Sequence, residues 1–133
     1  MRNLALLSGI FGVTGVLLGA FGAHALKGML LENGAHGTWA TAVLYQLVHA
    51  VALLAAASWR IRAVPDSAER NWLRWAGLCW SAGILLFSGS LYLLSVGGPR
   101  ALGPVTPLGG VAFIAGWICL IVHAVTQESS QKS

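Results

Sequence analysis

Among the polar side chains in or at the edges of apolar runs, eight fall at similar depths toward one side and could act together: His24, Tyr45, Gln46, His49, Ser88, Ser90, Tyr92 and Thr106. Tyr45 and His49 are four residues apart, so on a helix they share one face, with Gln46 beside them. Such a set can act in two ways inside a membrane. It can tie helices together through interhelical hydrogen bonds, each worth ~0.6 kcal/mol and at most about 2. It can instead line a ligand-binding pocket, where Tyr, Gln and His offer donors to a quinone head, a lipid head or another small polar ligand.

Other chemistries fit the spacing less well. At ~1.5 Å per helical residue, His24 and His49 differ in depth by about 15 Å, too far for two axial ligands on one haem iron. His49 and His123 differ by about 6 Å and would need strong tilt, so no haem is expected. Ser88-Gly89-Ser90 lacks the G-x-S-x-G frame and has no aspartate near it, which argues against hydrolysis and leaves no catalytic residue to name. Cys79 and Cys119 lie in apolar runs without CxxC or Cys/His spacing, so no metal site is expected and the thiols read as small packing residues. No apolar run contains Asp or Glu, and proton-coupled transport commonly uses such a relay.

The elements that must position these residues follow from composition. Of 133 residues, 56% are hydrophobic and 9% charged, against roughly 25% charged in a soluble domain. Mean hydropathy is +0.73. A chain with so few charges cannot cover a water-facing surface. Four apolar runs, residues 4–25, 38–59, 72–96 and 108–125, each approach the ~20 residues that cross ~30 Å of hydrocarbon as a helix. Without water to satisfy the backbone, these runs must be helical. The first is longer than the ~7–15 residues of a signal-peptide core and is read as a true span. The expected architecture is a single all-α transmembrane domain, an antiparallel bundle of four helices.

The net charge of +4 does not point to nucleic acid. The basic residues flank apolar runs instead of lining one solvated face, which is the placement of topology signals. Arg2, Arg60, Arg62, Arg70, Arg74 and Lys132 fall on one side, and Lys27 and Arg100 on the other. That asymmetry places both termini in the cytoplasm. Pro65-Asp66 marks a turn in the middle loop, and Leu26–Gly37 has room for a short surface helix.

Each span carries a small or polar stripe at helical spacing. In the first it is Gly9, Gly12, Gly15, Gly19 and Gly22, with a GxxxG pair at Gly15 and Gly19. Glycines let helices approach closely where packing replaces the hydrophobic effect, either inside this bundle or on a partner. The third span presents Gly77, Ser81, Ser88, Tyr92 and Ser95, and the fourth Gly109, Ala112, Gly116, Cys119 and His123. These stripes are expected to turn away from lipid.

Four motifs in order carry a resemblance. They are Gly19-Ala20-Phe21-Gly22-Ala23-His24, then Thr41-Ala42-Val43-Leu44-Tyr45-Gln46-Leu47-Val48-His49-Ala50, then Phe87-Ser88-Gly89-Ser90-Leu91-Tyr92, and finally Thr106-Pro107-Leu108-Gly109-Gly110. The chain resembles the small bacterial inner-membrane proteins of domain-of-unknown-function family 423 and is similar to eukaryotic transmembrane protein 256. The resemblance implies four spans and a bacterial cytoplasmic membrane, and no established reaction. The leading functional reading is a non-catalytic accessory or scaffold subunit of a larger membrane complex, with the lipid bilayer and other subunits as partners and no bound cofactor. The alternative is a quinone- or lipid-binding protein using the polar cluster, and the third is a small transporter.

Overall fold

The computed structural model describes residues 2–62 and 68–131, and these form helices and turns without strands. The middle-loop turn expected at Pro65-Asp66 and the topology signal at Lys132 lie outside the described residues. Helix α1 is Arg2–Ala23, the short α2 is Lys27–Glu32, and α3 is His36–Arg62. Helix α4 (Ala68–Gly83) continues through a π-helical segment, Ile84–Ser88, into α5 (Gly89–Ser95). A 3₁₀ turn, Arg100–Leu102, leads to α6 (Val105–Gln131). Four helical stretches are long and apolar enough to cross a membrane: Asn3–Ala23, His36–Trp59, Asn71–Ser95 and Arg100–Gln127. The third is α4, the π segment and α5 together.

Helix α6 starts three residues before the apolar run at Leu108 and takes Pro107 into its first turn. Proline is tolerated there because the first N–H groups of a helix have no intrahelical acceptor. Two glycines close the turns at one end of the bundle. Gly34 has φ +63° and Gly97 φ +87°, a region open to glycine at little cost. Each follows the C-cap residue of a helix, Asn33 or Val96, and sets up paired closing bonds: Ala35 N–H to Leu30 C=O with Gly34 N–H to Leu31 C=O, and Gly98 N–H to Leu93 C=O with Gly97 N–H to Leu94 C=O. The Asn33 amide then donates to Ser95 C=O at 3.3 Å and joins the two turns.

Helix α1 packs antiparallel on α3, and α6 antiparallel on α4. Ser8 pairs with Ala50, Phe11 with Gln46 and Leu18 with Trp39, so rising numbers on α1 meet falling numbers on α3. Phe87, Gly83 and Trp80 likewise meet Gly109, Phe113 and Gly116. Helix α3 also packs on the third span, which makes these two the central pair. Their most apolar stretches are 39% buried, against 22% for α1 and α6, so the outer helices give most of their surface to lipid. Leu53, Leu73, Trp80, Ile84 and Phe113 form the centre of the core.

The glycine stripe of α1 divides. A Cβ at Gly15 would lie 2.7 Å from Leu47 Cδ2, one at Gly19 3.3 Å from Val43 Cγ1, and one at Gly22 would strike the Trp39 indole. Gly9 and Gly12 have no such neighbour within 4 Å. The cause is geometric. Steps of three and four residues average below the 3.6 of a helical turn, so the row winds round the helix, and Gly9 lies about 120° from Gly15. The upper three glycines therefore face α3, while Gly9 turns outward and Gly12 stays half-buried at the edge of the contact.

Candidate functional site

Gln46 sits on the buried side of α3 with 3% of its surface exposed. Its Nε2 donates to Phe11 C=O at 2.9 Å and to Thr14 Oγ1 at 2.8 Å, both on α1. Its Oε1 accepts from the Tyr92 hydroxyl at 2.8 Å. Thr14 passes its own hydrogen back to Ile10 C=O. The Phe11 carbonyl can only accept, so the amide orientation is fixed, and one side chain joins the first, second and third spans with both N–H donors and its oxygen in use.

His49, one turn further along α3, is 4% exposed. Its Nδ1 lies 2.7 Å from Tyr45 C=O, and Trp117 Nε1 donates to its Nε2 at 3.1 Å. An indole can only donate and a carbonyl can only accept, so these contacts specify the neutral tautomer with hydrogen on Nδ1. The ring also stacks on Phe113, with centroids 3.7 Å apart and planes at 15°. His123 is buried near the opposite end of the bundle and meets the edge of Trp59, 5.5 Å between centroids.

The remaining predicted residues divide among other contacts. Ser88 donates to Ala42 C=O at 2.8 Å and ties the third span to α3. Ser90 shares a 2.7 Å hydrogen bond with Thr106 and ties the same span to α6. Two residues apart on a regular helix, these serines would point nearly opposite ways. Here both are buried, because α3 and α6 flank the third span. His24 is exposed in the turn after α1 and joins none of these networks. Tyr45 is 40% exposed, with its ring 4.7 Å from Phe87 and 5.9 Å from Phe113. The eight residues therefore do not converge on one cavity.

Several participants escaped the sequence reading. Thr14 and Trp117 complete the Gln46 and His49 contacts, and Trp39 donates to Leu18 C=O at 2.9 Å. A threonine in a glycine-rich apolar run was the available signal for the first. Cys79 and Cys119 are half-buried free thiols. Among the described residues, no three His, Cys, Asp or Glu side chains come together to hold a metal ion.

A family model described as a protein of unknown function (DUF423) matches residues 18–110, from the upper half of α1 into the first turns of α6. The match takes in all four motifs and the Gln46 and Tyr92 pair. The chain belongs to the DUF423 family. Among its relatives is the UPF0382 membrane protein YwdK of Bacillus subtilis, 41% identical over 127 residues that cover 94% of this chain and 98% of the relative. The UPF0382 membrane protein SAB0533 of Staphylococcus aureus is 39% identical over 122 residues, covering 92% and 94%. The UPF0382 inner membrane protein YgdD of Escherichia coli is 37% identical over 127 residues, covering 93% and 90%. No solved structure matches. This DUF423 protein is thus a multi-pass protein of the bacterial cytoplasmic membrane from an uncharacterised family.

Proposed function

We propose that this DUF423 protein is a non-catalytic accessory or scaffold subunit of a larger membrane assembly. The observation that carries the reading is the closure of the central polar network. Both donors and the oxygen of Gln46, and both ring nitrogens of His49, are taken by neighbouring helices. Groups used in this way fix the register of a bundle, and no N–H of Gln46 or His49 is left to donate to a substrate. The exposed Gly9, with half-buried Gly12 beside it, supports the same reading, because neither would-be Cβ meets a neighbour and a partner helix can approach the α1 backbone there.

The test is the native mass of the tagged protein, expressed at its own level and extracted in mild detergent. The expected species lies far above 13.9 kDa and contains other polypeptides. Replacing Gly9 and Gly12 together by isoleucine is expected to release those polypeptides while leaving the thermal transition of the subunit unchanged. A wild-type protein that runs alone overturns the reading.

Both termini are placed in the cytoplasm on the six-to-two distribution of basic residues. A fluorescent reporter joined after Ser133 is expected to mature in the cytoplasm. A periplasmic phosphatase signal from the same junction, without fluorescence, reverses the orientation.

A further inference from the structure

Among the described residues, two polar groups of the spans stand out without a hydrogen-bond partner: the Trp80 indole N–H, sealed inside the core, and the Tyr45 hydroxyl, which is open to the surroundings. Gln46, His49, Ser88, Ser90, Tyr92 and Thr106 all hydrogen-bond within the chain. The Tyr45 hydroxyl has no hydrogen-bond partner among the described residues, and its ring is 40% exposed. Tyr45 lies nine residues into α3, about 13 Å along the helix from His36, where the candidate span begins. Its backbone thus lies within the apolar stretch of α3, where an unmade hydrogen bond is costly.

The surroundings of this hydroxyl form a shaped site. A groove of ≈310 Å³ runs along α3, lined by Leu44, Tyr45, Val48 and His49. Behind it stand aromatic rings from two other helices. Phe87 and Phe113 pack on Tyr45, and Phe113 stacks on His49. Trp117, 41% exposed, holds the imidazole from the far side. With both nitrogens bonded and one face stacked, the His49 ring is a fixed plate. Phe87 belongs to the π-helical segment, a local widening of the helix that recurs at functional sites.

We propose that this groove binds a bilayer-dissolved molecule with a flat conjugated ring and a carbonyl acceptor, the quinone class, and that the Tyr45 hydroxyl donates to that carbonyl. The two aromatic rings that line the groove, Tyr45 and His49, select a flat ring, since offset stacking and edge contacts are what such rings offer. The ligand must bring an acceptor, because the His49 nitrogens and the Trp117 N–H are already bonded and Tyr45 has a donor to give. It must be uncharged, because no charged side chain lines the groove, where His49 stands as the neutral tautomer. The volume is at the small end of ligand pockets and suits a single ring head, with any alkyl tail left in lipid. The site is independent of the accessory-subunit reading, since it uses the exposed side of α3 and leaves Gly9 and Gly12 untouched.

The test uses decylubiquinone titrated into the purified protein in phosphatidylcholine nanodiscs, followed by quenching of tryptophan fluorescence. Trp117 and Trp80 lie beside the groove, 4.9 Å apart between centroids. The expected result is saturable quenching that loses amplitude in Trp117→Phe. Tyr45→Phe removes one hydroxyl and is expected to weaken binding about tenfold, the worth of one well-placed hydrogen bond. Val48→Trp fills the groove from an exposed position and is expected to abolish saturation with the thermal transition unchanged. Quenching that rises linearly, as from partitioning into lipid, overturns the proposal. So does a dissociation constant that is the same in wild type, Tyr45→Phe and Val48→Trp. The native mass reports on the accessory role alone, so the two readings fail separately.

Discussion

Gly109→Ala is expected to destabilise the detergent-solubilised protein by about 3 kcal/mol, the upper part of the range for overpacking a filled interface. A Cβ at position 109 would lie 2.7 Å from both Cα and Cβ of Phe87 and would also strike its backbone nitrogen. A flexible side chain could rotate away, but this backbone lies in the π segment and is held by the helix on either side. The only relief is to move α6 off the third span. That movement also loosens Phe113 from Gly83, Trp80 from Gly116 and the 2.7 Å bond between Ser90 and Thr106. In lipid no hydrophobic effect favours helix association, so packing and these bonds carry it. Gly110, the next residue, has nothing within 4 Å of its would-be Cβ. Gly110→Ala is therefore expected to leave stability within about 0.5 kcal/mol of wild type. Heat-induced loss of helical circular dichroism in one detergent compares the two variants directly. Equal midpoints would place α6 elsewhere.

That contrast between adjacent glycines shows where sequence reasoning ends. The four spans are legible because length and hydropathy decide them in hydrocarbon, and the polar stripes are legible because helical spacing decides which residues share a face. Gly77, Ser81, Ser88 and Ser95 of the third stripe are all buried. Partners are a different matter. Gln46 and Tyr92 are visible as polar residues at similar depth, but the choice of Thr14 as the third member depends on how α1 is rotated against α3. The five glycines of α1 look like one surface, yet their spacing winds them over two. The π segment has no sequence signature at all. It arises where Phe87 must fit against Tyr45, Phe113 and the α6 backbone at Gly109. Motif residues were thus found as a set, and the structure divides that set into helix ties, an exposed turn residue at His24 and an open groove at Tyr45.

Gln46→Leu is expected to cost about 2 kcal/mol, given three interhelical bonds at ~0.6 kcal/mol each and the polar groups they leave behind. The substitution fits the volume of the site, so the loss reports hydrogen bonding more than packing. Tyr92→Phe alone removes one of the three bonds and leaves Gln46 Oε1 without its donor, so it is expected to cost about 1 kcal/mol. The double variant separates a network from a collection of contacts. Once Gln46 is leucine, the Tyr92 hydroxyl has lost its acceptor, and removing it costs nothing further. The double variant should therefore be no less stable than Gln46→Leu, with a coupling of about 1 kcal/mol. Reversible unfolding in mixed micelles measures all four proteins under one condition, and additive losses would mean that the amide does not join the two helices. The location of the damage is equally specific. Gln46 is the polar tie from α3 to the Phe11 and Thr14 region of α1, whereas Tyr92 reaches α1 only through it. Amide exchange in α1 should rise in Gln46→Leu and stay near wild type in Tyr92→Phe, because the bonds from Gln46 to Phe11 C=O and Thr14 Oγ1 survive in the second variant.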